Sequence, residues 1–122
     1  MELHDLNENE RLVLVAALGY VIGSDGRVSE AEHEVLHRVA ATLGDNAYRL
    51  IAAECGRRFR DEQQLLMFAP VIRRPRAREL IYETVLEAAL PDAIDTREST
   101  LLERLAKIWH IQVSVERPSG TR

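Results

Sequence analysis

The chain has 122 residues, 46% hydrophobic and 30% charged, with a net charge of −4 at pH 7. That is enough for one domain with its own core, and it excludes a disordered chain, a disulfide scaffold and a strongly basic nucleic-acid binder. Cys55 is the only cysteine and cannot form an internal disulfide, which points to a reducing compartment. The longest apolar run, 12–22, is shorter than the roughly 20 residues a bilayer span needs and follows an acidic N-terminus. A cytoplasmic protein that does not bind nucleic acid is expected. Fifteen of the sixteen basic residues are arginine, a bias compatible with a GC-rich bacterial genome.

Helical signals run through the chain. Asn7 and Glu10 make a capping pair, and Leu12, Val15, Ala16 and Leu18 follow at helical spacing. Gly23 and Gly26 stop this first helix. Ser29 with Glu32 forms a capping box for a second helix carrying Val35, Leu36, Val39, Ala40 and Leu43 on one face, with Gly44 as its C-terminal cap. A third helix is expected over 46–55, ended by Gly56. Asp61 with Gln64 opens a fourth, interrupted by Pro70. A fifth covers 76–90 with Ile81, Val85, Leu86 and Ala89 inward. Asp95 with Glu98 caps a sixth bearing Leu101, Leu102, Leu105, Ile108 and Trp109. Residues 111–115 alternate weakly, but a single short strand has no partner. The expected fold class is all-α: one helical bundle of about six helices over 1–116, with 117–122 as a disordered tail.

A shift of 66 positions pairs Val28 with Ile94, Glu32 with Glu98, Leu36 with Leu102, Arg38 with Arg104, Val39 with Leu105 and Ala40 with Ala106. Two helix-turn-helix units of this kind predict a bundle with an internal pseudo-twofold repeat.

The stretch from Ser24 to Glu32 resembles the second half of a calcium-binding EF-hand loop. With Glu32 at the twelfth position, Asp25 falls at five, Gly26 at six, Val28 at eight and Ser29 at nine. The first and third positions are Val21 and Gly23, so both leading carboxylates are missing and a true EF-hand does not fit. The pattern Asp-Gly-x-Val-Ser-x-x-Glu, carried by Asp25, Gly26, Val28, Ser29 and Glu32, instead resembles TerB-type tellurite-resistance domains, a fold shared with the N-terminal part of DjlA-like co-chaperones. The second copy matches at Ile94, Asp95 and Glu98, while Pro91 and Asp92 replace its Asp-Gly pair. The resemblance spans about 12–111. It implies an all-helical, non-enzymatic stress-response or protein-interaction module with unidentified protein partners and no required cofactor. It also implies that Asp25, Glu32, Asp95 and Glu98, with Asp92 standing in for the absent loop aspartate, gather a divalent cation such as calcium or magnesium. A competing reading accounts for Ser29, Glu32, Asp95 and Glu98 as helix caps and dipole partners, and for Asp25-Gly26 as turn chemistry.

His33, Glu34 and His37 satisfy the spacing of zinc metallopeptidases, which set two imidazoles on one helical face beside a general base. This gives the alternative function, a metallopeptidase-like protein. That chemistry needs a third ligand and a cleft, whereas Ala40 and Leu43 occupy the places of the extended motif's glycine and third histidine. The stripe through Val35, Leu36, Val39 and Leu43 also turns Glu34 and His37 towards solvent. Finally, Arg57, Arg58, Arg60, Arg73, Arg74, Arg76 and Arg78 make the middle of the chain basic. Phe59 and Phe68 are the only aromatics among them, too few for a base-stacking array, so 57–78 reads as a solvated face or as a peripheral contact with an anionic membrane.

Overall fold

Residues 1–22, 30–89 and 96–111 are described in the structure, a computed structural model. After a 3₁₀ turn at Leu3–Asp5 come six helices: α1 (Glu8–Ile22), α2 (Glu30–Leu43), α3 (Asp45–Arg58), α4 (Glu62–Phe68), α5 (Pro75–Ala89) and α6 (Thr96–Trp109). A second 3₁₀ turn, Ala69–Val71, follows α4, and no strand occurs among the described residues. The all-α expectation holds. Residues 112–122, including the expected tail, lie outside the described residues, as does the Asp95 cap.

The local caps form as their residue types dictate. The Asn7 side chain accepts from Glu10 N–H at 2.9 Å, and the Glu10 carboxylate accepts from Asn7 N–H at 2.8 Å. The Asp61 carboxylate caps α4 by accepting from Gln64 N–H at 3.0 Å. Gly44 sits at φ 97°, where a side chain would be strained, and its N–H closes α2 on Ala40 O at 2.8 Å. His110 occupies the left-handed region at φ 57°, and Ile111 N–H reaches Ala106 O at 2.9 Å to terminate α6.

The central element is α1. Every residue from 12 to 18 is buried, so this stretch of α1 is covered around its circumference, and the helix contacts α3, α4, α5 and α6. Leu12, Val15, Ala16 and Leu18 are all buried, and Val13, Leu14 and Ala17 between them are buried too, as in a helix apolar all round. The core continues through Val35 and Val39 of α2, Leu65 and Ala69, Ile81 and Val85 of α5, and Leu101, Leu105 and Trp109 of α6. Leu36, Leu43, Leu86 and Ile108 are only partly buried against it. Trp109 is locked by its indole N–H, which donates to Ala69 O at 2.9 Å.

The third helix is longer than expected, running three residues past Cys55 through Gly56 to Arg58. Glycine costs a helix interior only about 1 kcal/mol relative to alanine, which burial of Cys55 and Phe59 on either side outweighs. The helix bounds of the repeat coincide under the 66-residue shift: α2 moved by 66 is 96–109, the extent of α6. Val35 and Val39 share full burial with Leu101 and Leu105. Packing partners differ, however, since α2 lies on α5 and α3 whereas α6 lies on α5 and the Ala69–Val71 turn.

Candidate functional site

Of the five residues expected to gather a cation, the structure describes the side chain of one. Asp25, Asp92 and Asp95 lie outside the described residues. Glu98 falls in the first turn of α6, where the backbone alone is described. Glu32 lies in the first turn of α2, directly after the acidic loop, and is 0% exposed. Its neighbours Glu30, His33 and Glu34 are exposed. The helix start therefore turns one carboxylate inward. Its position suits it electrostatically, because the amino end of a helix favours negative charge.

A second buried carboxylate, Glu10, stands in the corresponding turn of α1 at 1% exposure. Beyond its cap with Asn7, it is clamped by Arg74, whose Nε donates to Oε2 at 2.8 Å and whose Nη2 donates to Oε1 and, at 2.9 Å, to Asp5 O. The Arg74 hydrogen bonds, aided by the Asn7 amide, hold the Glu10 carboxyl below its ordinary range against the opposing effect of burial. A capping pair is thus joined to a long-range ion pair that ties the start of α1 to the approach of α5. Arg38 and Glu87 make a similar tie between α2 and α5 at 2.7 Å, on the surface, and Arg38 lowers the Glu87 carboxyl.

The His33, Glu34 and His37 side chains are all exposed, and with Glu30 they line one shallow open concavity on the outside of α2. Among the described residues, no group of three or more His, Cys, Asp or Glu side chains comes together as a metal site. Among the described residues, a third ligand of the kind a zinc peptidase requires does not stand beside His33 and His37.

The arginine-rich middle is largely tied down. Arg57 and Arg58 both pair with Glu54, at 2.6 and 2.9 Å, and lower its carboxyl. Arg78 Nε donates to Ile72 O at 2.6 Å, and Arg58 also lies over the Phe68 ring at 5.8 Å from its centroid. Arg60, Arg73 and Arg76 are exposed, as are the paired Arg57, Arg58 and Arg74.

A groove between α1 and α3 has no precursor among the sequence-based expectations. It encloses about 270 Å³ between Ala16, Gly19 and Tyr20 on one side and Tyr48, Ala52 and Gly56 on the other, with Cys55 and Phe59 among its walls. A β-carbon at Gly19 or Gly56 would meet nothing within 4 Å, so the two glycines face open space. Cys55 donates its thiol proton to Leu12 O at 3.3 Å, and burial pushes its pKa up to about 11. Burial likewise raises the Tyr20 and Tyr48 hydroxyls. This thiol is held protonated and inert, the opposite of a nucleophile. The one available sequence cue was a glycine in the last third of each flanking helix. Compared with models of protein families, with curated proteins and with solved structures, the chain gives no match in any of the three.

Proposed function

We propose that this protein is a non-enzymatic stress-response or protein-interaction module of the tellurite-resistance type, in which a divalent cation tunes the loop between α1 and α2. The observation that carries the reading is the complete burial of Glu32 at the junction of that loop with α2. At this junction Glu32 and Asp25 of the adjoining loop are the kind of hard oxygen donors that a divalent cation takes. Glu98, at the matching position of α6, and Asp92 and Asp95 ahead of it are the second set of oxygen donors. The apolar groove between α1 and α3 supplies a surface for a protein partner.

The test is a thermal-denaturation series in millimolar calcium and magnesium. A cation that binds only the folded state stabilises it by mass action, about 1.4 kcal/mol at ten times its dissociation constant. Asp25→Asn removes a loop charge without touching the Ser29–Glu32 box, so it should abolish the metal response and leave metal-free stability nearly unchanged. Absence of any calcium or magnesium shift, or an Asp25→Asn variant that responds as the wild type does, would overturn the cation reading and leave Glu32 as a buried cap.

A further inference from the structure

The outward face of α2 carries a pattern that the acidic loop does not explain. Glu30, His33, Glu34 and His37 follow the i, i+3, i+4, i+7 spacing, so they form a single stripe along the helix. With about 100° between successive residues, this stripe lies nearly opposite the one formed by Glu32, Val35 and Val39. Burial follows the same division: the first set is exposed and the second is withdrawn from water. Among the described residues, the concavity around the histidine stripe is lined by these four side chains of α2 alone.

Imidazoles four residues apart on a helix stand about 5–6 Å apart at their β-carbons and can close on one metal ion. Imidazole nitrogen suits zinc and its borderline neighbours, not calcium or magnesium. Zinc in a closed site takes four ligands in a tetrahedron. This helix offers two, and no described group of three or more ligands exists to complete the shell. The stripe is therefore half of a site. We propose that His33 and His37 bind a zinc-class cation between two copies of this chain, each α2 supplying two imidazoles to one metal on a twofold axis.

Charge makes this contact depend on the metal. Glu30 and Glu34 give each face two carboxylates, and the nearest basic side chain of the helix, Arg38, is engaged with Glu87 at 2.7 Å. Two such faces repel when bare, whereas a dication between them offsets half of the four carboxylate charges. The carboxylates also draw the cation to the stripe before the second copy arrives. A twofold arrangement is the natural closed form, because the same patch then serves both partners.

The experiment is sedimentation velocity of metal-free protein titrated with zinc, with bound metal measured by elemental analysis. The expected result is a monomer that becomes a dimer holding one zinc per two chains and reverts on addition of a chelator. Cobalt in place of zinc should give the intense visible absorption of tetrahedral nitrogen coordination. His33→Ala and His37→Ala should each abolish the dimer, with His37→Gln as a milder second variant; both side chains are exposed, so far-UV circular dichroism should stay that of the wild type. His4→Ala and His110→Ala should dimerise normally, and magnesium or calcium should not substitute. A zinc-saturated protein that remains monomeric overturns the proposal. So does a dimer that forms equally without metal, or one that survives in both His37 variants.

Discussion

Replacing Arg74 by alanine is expected to expose how much of the fold depends on one carboxylate at the start of α1. Glu10 is 1% exposed and Arg74 46% exposed, so the change leaves the buried partner behind while water can reach part of the vacated space. Three hydrogen bonds go, two of them between opposite charges and one to Asp5 O. Charged hydrogen bonds contribute about 1.5–3 kcal/mol each, and breaking a fully buried pair from one side costs about 3–5 kcal/mol. Access of water to the guanidinium side lowers that, and about 2–3 kcal/mol is expected. For a 122-residue chain with an unfolding entropy of about 2.1 cal/mol/K per residue, 1 kcal/mol corresponds to roughly 4 °C. Thermal denaturation at pH 7 should therefore show a fall of roughly 8–12 °C.

A double-mutant cycle with Glu10→Gln isolates the pair. Glutamine keeps the side-chain oxygen that accepts from Asn7 N–H, so the cap survives while the charge is removed. The coupling between the two changes should be about 1–2 kcal/mol. The pH dependence has a definite sign. Since Arg74 holds the Glu10 carboxyl below its unfolded value, the stabilisation is fully present above the ordinary glutamate pKa of about 4.3. It is lost as pH falls through the depressed native value. The gap between wild type and Arg74→Ala should be widest at pH 5–8 and shrink below about pH 4. Glu54 and Glu87, also lowered by arginines, titrate alike in both proteins and cancel from the difference. A coupling under about 0.3 kcal/mol, or a gap unchanged between neutral and acid pH, would refute the assignment of Glu10 and Arg74 as a unit.

The two open helical glycines make a contrast with the strained one: Gly56→Ala should raise stability by about 0.5–1 kcal/mol, because its β-carbon meets no atom within 4 Å. Gly44→Ala, at φ 97°, should lower it by about 1–2 kcal/mol, and both are read from denaturant midpoints. The leucines of the sequence repeat should separate as well. Leu102→Ala, at a buried position, is expected to cost about 2–5 kcal/mol, and Leu36→Ala, only partly buried, clearly less; equal losses would contradict the packing of α2.

What the sequence made legible was local. The Asn7–Glu10 box, the Asp61–Gln64 cap and the Gly44 stop each join residues three or four apart, and chain chemistry alone determines them. Errors arose where neighbours distant in sequence decide. Gly56 resembles a stop, but the burial of Cys55 and Phe59 against α1 carries α3 past it. The uninterrupted apolar run 12–18 has no direction, so its periodicity could not say which helices would cover each side of it. Arg74 finds Glu10 across 64 positions, and no feature of the arginine-rich stretch distinguishes it from Arg73 or Arg76.

The same distinction decides how α2 should be read for function. Its sequence, Glu-Ala-Glu-His-Glu-Val-Leu-His, suggested two cation chemistries at once, and the sequence alone could not separate them. Helical geometry does, because Glu32 and His33 are adjacent in sequence yet about 100° apart around the axis. Glu32 joins Val35 and Val39 on the buried side, while His33 and His37 join Glu30 and Glu34 on the exposed side. A hard cation held by the loop and a zinc-class cation held by the outer stripe would therefore occupy opposite faces and share no ligand. Asp25→Asn should leave zinc-driven dimerisation unchanged, and His37→Ala should leave the calcium response unchanged. If either substitution altered both responses, the separation of α2 into an inner carboxylate face and an outer histidine face would fail.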